Sequence, residues 1–220
     1  MAIKNEPLGD QLARQLRNDI LSGKRASGDV LIEKALSEEF GLSRGPVRDA
    51  FQQLEQDGLI EADGRSFHVA PFDAHDITEI YHLRIALEQL AVERALAAEA
   101  DWSGSHRAVA AMKQAVLAGD SAQFVLADLA FHTSLFEATS QRRLLGASRT
   151  VERTLAALME LMPALHDDLR SMMLEHEQIL ESIESGSDEW RSLLVRHLEL
   201  GCEMLCSAFS FHSGREAEQH

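Results

Sequence analysis

The first seventy residues alternate between short helical patterns and a hairpin pattern. Apolar residues in the first helical segment recur every four positions, which predicts an amphipathic helix ending near Ser22 and Gly23. A second short helix is predicted from about Glu33 to Phe40, with Gly41 suited to the left-handed position that follows a helix. The apolar stripe of the first helix is Leu8, Leu12, Leu16 and Ile20.

A third helix is predicted after a tight turn at residues 42–48. Ser43 can act as its N-cap, and Pro46 lies in its first turn, where no amide hydrogen is needed. The turn at Asp63 and Gly64 then separates two short apolar runs, which predicts a small β-hairpin. Three helices followed by a hairpin is the order of a winged helix-turn-helix.

The rest of the chain shows helical periodicity only. A linker at residues 70–72 contains Pro71, and a polar tail is expected from residue 213. The predicted fold is therefore mainly α, with an N-terminal winged helix-turn-helix (1–70), an all-α antiparallel bundle of about six helices (73–212) and the tail 213–220. The predicted bundle helices are 73–100, 104–118, 120–139, 141–163, 167–185 and 188–210.

Composition is that of a globular protein, with 45% hydrophobic and 26% charged residues. No apolar run approaches the roughly 20 residues of a membrane span, so we expect a cytoplasmic protein with no membrane partner. Cys202 and Cys206 are then expected to be reduced core residues. The net charge of −15 is concentrated after residue 72, because residues 1–72 hold 9 Lys and Arg against 12 Asp and Glu.

Three polar residues of the third helix share a face that is distinct from its apolar stripe. Arg44, Arg48 and Gln52 are spaced by four, whereas Val47 and Phe51 belong to the buried side. Arginines there can fork onto guanine edges or phosphates, and a glutamine can read adenine. By residue type alone, a solvated surface helix is the favoured interpretation, and the surrounding sequence pattern shifts the balance towards a DNA-reading helix.

Residues 8–69 resemble the DNA-binding domain of the GntR family of bacterial regulators, above all at Leu36 to Ala50 and at Leu54 to Ile60. The resemblance implies that Arg44 and Arg48 contact DNA, that Lys34 lies near the DNA backbone and that the wing tip enters the minor groove. Gly45 departs from the threonine usual in the family, and Asp63 stands beside the wing contact. The candidate DNA-binding residues are Lys34, Ser43, Arg44, Arg48, Gln52, Gly64 and Arg65.

Four residues of the second part form a candidate metal site. Asp128 and His132 are four apart, so on a helix both point the same way, while His176 and His197 lie on later apolar-striped helices. Each histidine taken alone fits a core residue satisfied by a hydrogen bond. Together, one carboxylate and three imidazoles suit Zn, Ni or Mn.

Residues 73–210 resemble the FadR-like branch of the GntR family, whose effector domain is called FCD. The resemblance rests on Arg84-x-x-x-Glu88, Asp128-x-x-Phe131-His132, Glu175-His176 and His197. In metal-binding members of that branch, the matching aspartate and three histidines hold the ion, and effectors are small carboxylic acids bound at or near it. Arg84 would then grip the effector carboxylate; alternatively, it pairs with Glu88 on its own helix. The chain departs from the family at residues 140–142, where an asparagine is usual.

The function expected from these patterns is transcription regulation, not catalysis. We expect a repressor that binds a palindromic double-stranded DNA operator as a homodimer, since one short recognition helix reads too few bases. A small carboxylate would switch it at the metal site. Two alternatives are a metal sensor, in which the ion is the signal, and a metalloenzyme, which lacks support because residues 176–180 carry no second zincin histidine.

Overall fold

The structure of the protein is a computed structural model that describes residues 6–64, 66–161 and 168–217, with side chains up to residue 210. Within these ranges the chain forms nine helices and three short strands, which confirms the predicted mainly α fold. In chain order they are α1 (Leu8–Leu21), β1 (Val30–Leu31), α2 (Glu33–Phe40), α3 (Arg44–Gln56), β2 (Ile60–Asp63), β3 (Ser66–Val69), α4 (Ala74–Ala97), α5 (Ser103–Ala118), α6 (Ser121–Ala138), α7 (Arg142–Leu161), α8 (Leu169–Glu184) and α9 (Trp190–Ala217).

The chain divides into two compact units. Among the described residues, one unit consists of residues 6–73 together with residues 211–217, and the other lies within Ala74–Ser210. Each unit has its own set of buried apolar side chains. A separate core in each unit means that each can hold its own site.

The core of the first unit lies between α1 and α3. Leu16 and Leu54 are fully buried there. The two helices approach so closely that a Cβ atom on Gly9 would lie 2.8 Å from the Cβ of Asp49, which only glycine avoids. Further along the two helices, Arg17 and Asp57 form a buried ion pair. The close packing fixes the orientation of α3, the predicted DNA-reading helix.

The first unit contains a three-stranded sheet rather than the predicted two-stranded hairpin. β2 and β3 pair antiparallel as expected, but β1 pairs with the other edge of β3, giving the order β1-β3-β2. With only two residues, β1 is too short to produce the alternation that marks a strand in sequence. The sheet is anchored to α3 by the rings of Phe67 and Phe51, whose centroids are 4.8 Å apart.

The second unit is a bundle of helices with α6 at its centre. α6 packs against α4, α5, α7 and α8, and its Phe124, Phe131 and Leu135 are completely buried. The helices agree with the predicted segments to within a few residues, except that α9 continues to Ala217 into the predicted polar tail. Among the described helices, none is long and apolar enough to cross a membrane.

Candidate nucleic-acid interface and metal centre

The N-terminal half of α3 presents the predicted polar residues on one exposed face. Gly41 ends α2 with φ of 65°, and Ser43 stands at the N-cap position of α3, although its side chain makes no capping hydrogen bond. Arg44 and Arg48 follow on one exposed face, with 68% and 65% of their side chains accessible. Gln52, one turn further on, is also exposed. This face is therefore open to a ligand.

Glu33 of α2 reaches the two arginines of α3. Arg48 Nε donates to Glu33 Oε2 at 2.9 Å, and Arg44 Nε lies 3.7 Å from Glu33 Oε1. The carboxylate is only 27% exposed, whereas both arginines are mainly exposed. A partly buried anion thus holds two cationic side chains close together. The sequence alone does not reveal this role of Glu33, because residue spacing within α3 carries no information about which side chains α2 presents to α3.

The remaining predicted DNA-binding residues lie at the edges of the first unit. Lys34 is exposed at the start of α2, and its Nζ lies 3.7 Å from the Glu38 carboxylate. Gly64 forms the turn between β2 and β3 with φ of 62°, a left-handed conformation that favours glycine. Arg65 lies outside the described residues.

In the second unit, four predicted ligands from three helices lie together. Asp128 and His132 come from α6, His176 from α8 and His197 from α9. One ligand atom from each lies within 4.8 Å of the others. Atoms that bind one ion at about 2.0–2.2 Å lie at most about 4.4 Å apart, so only a small movement would let all four bind the same ion. All four side chains are largely withdrawn from solvent.

Each histidine of this cluster is oriented by a hydrogen bond at Nδ1. His132 Nδ1 donates to Glu88 Oε2 at 2.7 Å, and His197 Nδ1 donates to Glu175 Oε2 at 2.8 Å. His176 Nδ1 donates to the carbonyl of Met172 at 2.7 Å. These bonds place the proton on Nδ1 and leave Nε2 as the ligand atom, the arrangement found around protein-bound metals.

The resulting centre holds acceptors that face one another. His176 Nε2 lies 3.3 Å from His132 Nε2 and 3.1 Å from Asp128 Oδ1. With the Nδ1 protons committed elsewhere, these three atoms offer lone pairs to a common point. The three lone pairs repel one another, and a cation at that point, either a proton or a metal ion, relieves this repulsion. The donor set therefore fits a borderline divalent ion.

The electrostatics of the cluster shift the pKa values of Asp128, His132 and His197. Burial alone would raise the pKa of Asp128, but a proton on His176, donated to this carboxylate, and positive charge on His132 and Arg84 hold that pKa far below its usual range. Burial lowers the pKa of His132, and burial with the neighbouring His176 lowers that of His197 to about 4. Neutral imidazoles and an ionised carboxylate are what a metal ion requires.

Arg84 of α4 contacts Glu88 and Tyr81 and also lines a pocket. Its Nε donates to Glu88 Oε1 at 2.8 Å, so the intrahelical pair is present, and its guanidinium lies 5.5 Å from the ring centroid of Tyr81. Arg84 also lines a pocket of about 340 Å³, open mouth included, between α4, α6 and α7. Because His132 forms part of the pocket wall, the pocket adjoins the candidate metal centre.

Two carboxylates of the second unit were not predicted as part of the site. Glu88 was considered only as a partner of Arg84, and Glu175 only as part of a motif. Glu88 is 99% buried and accepts hydrogen bonds from Arg84 and His132. Burial would raise the pKa of Glu88, but the charges and hydrogen bonds of His132 and Arg84 outweigh this effect and lower the pKa to about 2. The periodicity of the sequence could not identify these two carboxylates, because their role depends on which imidazole each one contacts in the folded protein.

Comparison with known families agrees with this geometry. The profile of the FCD domain matches residues 79–200, more than half of the chain, and the profile of the bacterial regulatory proteins of the gntR family matches residues 8–69. The protein belongs to the GntR family. It is thus a DNA-binding transcription regulator rather than an enzyme, and its FCD domain contains the four clustered residues that could hold a metal ion.

Relatives of this GntR-family protein match it over most of its length. The HTH-type transcriptional regulator YdhC of Bacillus subtilis is 29% identical over 92% of both chains. The gluconate operon transcriptional repressor of Bacillus licheniformis is 24% identical over 86% of this chain and 80% of its own. In both cases the similarity spans the helix-turn-helix region and the helical region together.

Solved structures share the fold. A GntR-type regulator from Rhodococcus sp. RHA1 has a TM-score of 0.65 at 24% identity, covering 91% of this chain and 98% of its own. The E. coli protein McbR/YncC has a TM-score of 0.67 at 22% identity, covering 90% of this chain and 96% of its own. At these identities the likeness supports the architecture alone.

Proposed function

We propose that this GntR-family regulator is a repressor of the FadR-like branch that binds a palindromic operator as a homodimer and responds to a small carboxylic acid at a metal centre. The observation that carries the proposal is the group of facing acceptors formed by His132, His176 and Asp128. A divalent ion there would leave positions for effector oxygens if it prefers six ligands. Such an ion would polarise the bound carboxylate. Because the protein would act on chromosomal DNA, we also propose that it is cytoplasmic.

The DNA-binding part of the proposal rests on Arg44 and Arg48. Their shared exposed face at the start of α3 matches the geometry by which recognition helices read a major groove. Gln52 extends the same face, and Lys34, Ser43, Gly64 and Arg65 are proposed as supporting contacts. Two relatives are named as gluconate operon repressors, which favours repression and an acid-related signal.

Dimerisation is supported by the exposed side of α4. Leu83 and Leu90 are two turns apart on one face, and 56% and 37% of their surfaces are accessible. An apolar stripe of this kind on a helix is typical of a contact between protein surfaces. A second copy of the chain would provide the two-fold symmetry that a palindromic operator requires.

The proposal is tested by measuring the operator affinity of the full-length protein without metal and after loading with Zn, Ni or Mn. Each measurement is made both with and without a panel of small acids. We expect the acids to change the affinity only when metal is present. A change caused by metal alone would instead favour the metal-sensing alternative. Absence of stoichiometric metal, and of thermal stabilisation by any of the three ions, would contradict the metal centre.

The ligands themselves are tested by His132→Ala and His176→Ala. Each should weaken metal binding by about 10-fold or more and reduce the acid response, while the metal-free affinity for DNA is retained. His106→Ala is the matched control, because this exposed histidine pairs with Glu184 and is not part of the cluster.

A further inference from the structure

Two thiols lie side by side on α9, outside the Asp/His cluster of the candidate metal centre. Cys202 and Cys206 are four residues apart, so both side chains lie on one face of the helix, and their Sγ atoms are 4.0 Å apart. Both are free and only partly buried, so a small ion can reach the pair. They are the only cysteines of the chain, and neither belongs to the cluster of Asp128 and three histidines.

The second of these thiols faces the start of α4. Cys206 Sγ donates to the carbonyl of Ala74 at 3.4 Å, and the hydroxyl oxygen of Thr78 lies 3.8 Å from the same sulfur. Because a thiol has one proton, the S–H of Cys202 is the group that points towards Cys206 Sγ. This chain of weak hydrogen bonds holds both sulfurs on the side of α9 that faces α4.

The separation of the two sulfurs matches that of two thiolates bound to one metal ion. At a metal–sulfur distance of about 2.3 Å, two sulfurs around a tetrahedral ion lie about 3.8 Å apart, and two sulfurs on opposite sides of an ion lie about 4.6 Å apart. The observed separation of 4.0 Å lies between these limits. Binding of one ion by both thiolates therefore requires little rearrangement of the two side chains.

The number of ligands decides which ion fits the pair. Within the part of the chain that the structure describes, no third His, Cys, Asp or Glu side chain joins the two thiols in a group that could hold one ion. A zinc ion in a protein almost always takes four ligands, so two thiols alone make a poor zinc site. Cu(I) is a soft ion that thiolate ligands select, and two thiolates satisfy it.

The two thiols are expected to stay reduced and protonated before an ion binds. Burial and the neighbouring Cys206 raise the pKa of the Cys202 thiol to about 11. Since the thiolate is the form that reacts with oxidants, this shift disfavours oxidation of the pair to a disulfide. A metal ion displaces the protons when it binds, because only the thiolate is a ligand.

We infer that Cys202 and Cys206 form a binding site for one Cu(I) ion, separate from the Asp/His cluster and from the pocket beside it. Each sulfur releases its proton to the solvent and donates a lone pair to the ion, so two protons are released and the oxidation state of copper does not change. Loss of the Cys206 proton removes its hydrogen bond to the Ala74 carbonyl, which keeps the hydroxyl of Thr78 as a donor. The inference does not depend on the proposed effector site.

The test is a competition titration of the full-length protein with Cu(I) against a chromogenic Cu(I) chelator, without oxygen and with ascorbate as reductant. The protein is first loaded with zinc, so that the Asp/His cluster does not compete for copper. We expect one tightly bound Cu(I) per chain, with sulfur neighbours of copper in X-ray absorption. The affinity should increase as the pH rises from about 6 to about 8, because binding releases protons.

Cys202→Ser and Cys206→Ser identify the ligands. Each should weaken the binding of Cu(I) by about 100-fold or more, since loss of a ligand costs at least as much as loss of the outer support of a ligand. Circular dichroism checks that both variants keep the fold. Met204→Leu is the matched control, because it removes an exposed sulfur from the same turn of α9 and should leave the Cu(I) affinity unchanged.

Three results would overturn the inference. The first is a Cu(I) affinity that is the same in the serine variants as in the wild type. The second is copper with nitrogen rather than sulfur neighbours. The third is a copper-dependent increase in oligomeric state that both serine variants abolish, because the ion would then join cysteines of different chains instead of two thiols of one helix.

Discussion

Glu88 Oε2 accepts a hydrogen bond of 2.7 Å from His132 Nδ1, and both side chains are buried. The bond joins α4 to α6 and fixes which imidazole nitrogen faces the ligand cluster. Since Glu88 Oε1 accepts from Arg84, the same carboxylate connects the candidate metal centre to the pocket beside it. A change at the metal can therefore reach the pocket through one side chain.

Glu88→Gln should weaken metal binding by about 10- to 100-fold, because outer supports of ligating histidines commonly have effects of this size. The amide can still fill the space but no longer provides the charge that fixes the Nδ1 proton of His132. Metal affinity is measured by competition with a chelator, on protein whose fold is checked by circular dichroism. Glu175→Gln is the matched variant and should have a smaller effect, since Glu175 is 33% exposed and water can replace it at His197. An unchanged metal affinity in Glu88→Gln would show that the hydrogen bond has no supporting role.

Arg44→Ala and Arg48→Ala should each lose specific operator binding while fold and oligomeric state stay as in the wild type. A lost forked contact to a base costs about 1 to 3 kcal/mol, which anisotropy titrations on operator and unrelated DNA resolve. Arg14→Ala is the control, because it removes an exposed arginine from α1, where Arg14 pairs with Glu6. Wild-type operator affinity in both α3 variants would be evidence against the proposed interface.

The metal-free protein should lose stability as the pH falls from 7 towards 4. His197 has a folded-state pKa of about 4 against 6.5 for the ordinary group, so the unfolded chain binds protons more readily in this range. His132 shifts in the same direction. Below the ordinary value of 4.5, Glu88 adds to the loss until the pH passes its folded-state pKa of about 2.

Urea unfolding at a series of pH values measures this dependence. His197→Gln should flatten the loss of unfolding free energy between pH 7 and 4, because the buried imidazole is removed. The exposed His106, replaced by Gln, provides the control and should keep the wild-type slope. Equal slopes in all three proteins would refute the assignment.

A fragment of residues 73–220 should fold and dimerise alone, because it contains the compact unit Ala74–Ser210. Within it, Leu83→Glu should shift the dimer towards monomer in sedimentation experiments, since a charge would be buried in the proposed contact. Leu117→Glu is the control, as Leu117 is 81% exposed on α5, outside that face. A fragment that is monomeric or unfolded would argue against the predicted domain.

Local chemistry along the chain was enough to predict the helices and the faces of α3 and α6. The four-residue spacing of Arg44 and Arg48, and of Asp128 and His132, already determines which side chains share a face, because helix geometry repeats within a few residues. Gly41 and Gly64 likewise mark a helix end and a turn through their backbone freedom alone. The extra strand β1 was missed, because its identity depends on its pairing with β3 rather than on its own pattern.

What only the tertiary structure decided is how these faces meet. His132 and His176 are 44 residues apart, and their Nε2 atoms come within 3.3 Å because α6 and α8 pack with a rotation that no sequence periodicity encodes. The same holds for Glu33 beside Arg48, for Glu88 beside His132 and for Glu152 beside Thr133. The sequence by itself determined which residues each helix could present, since that follows from backbone hydrogen bonding within one segment. Which residues face each other was decided by burial of apolar surface between segments, a property of the whole fold.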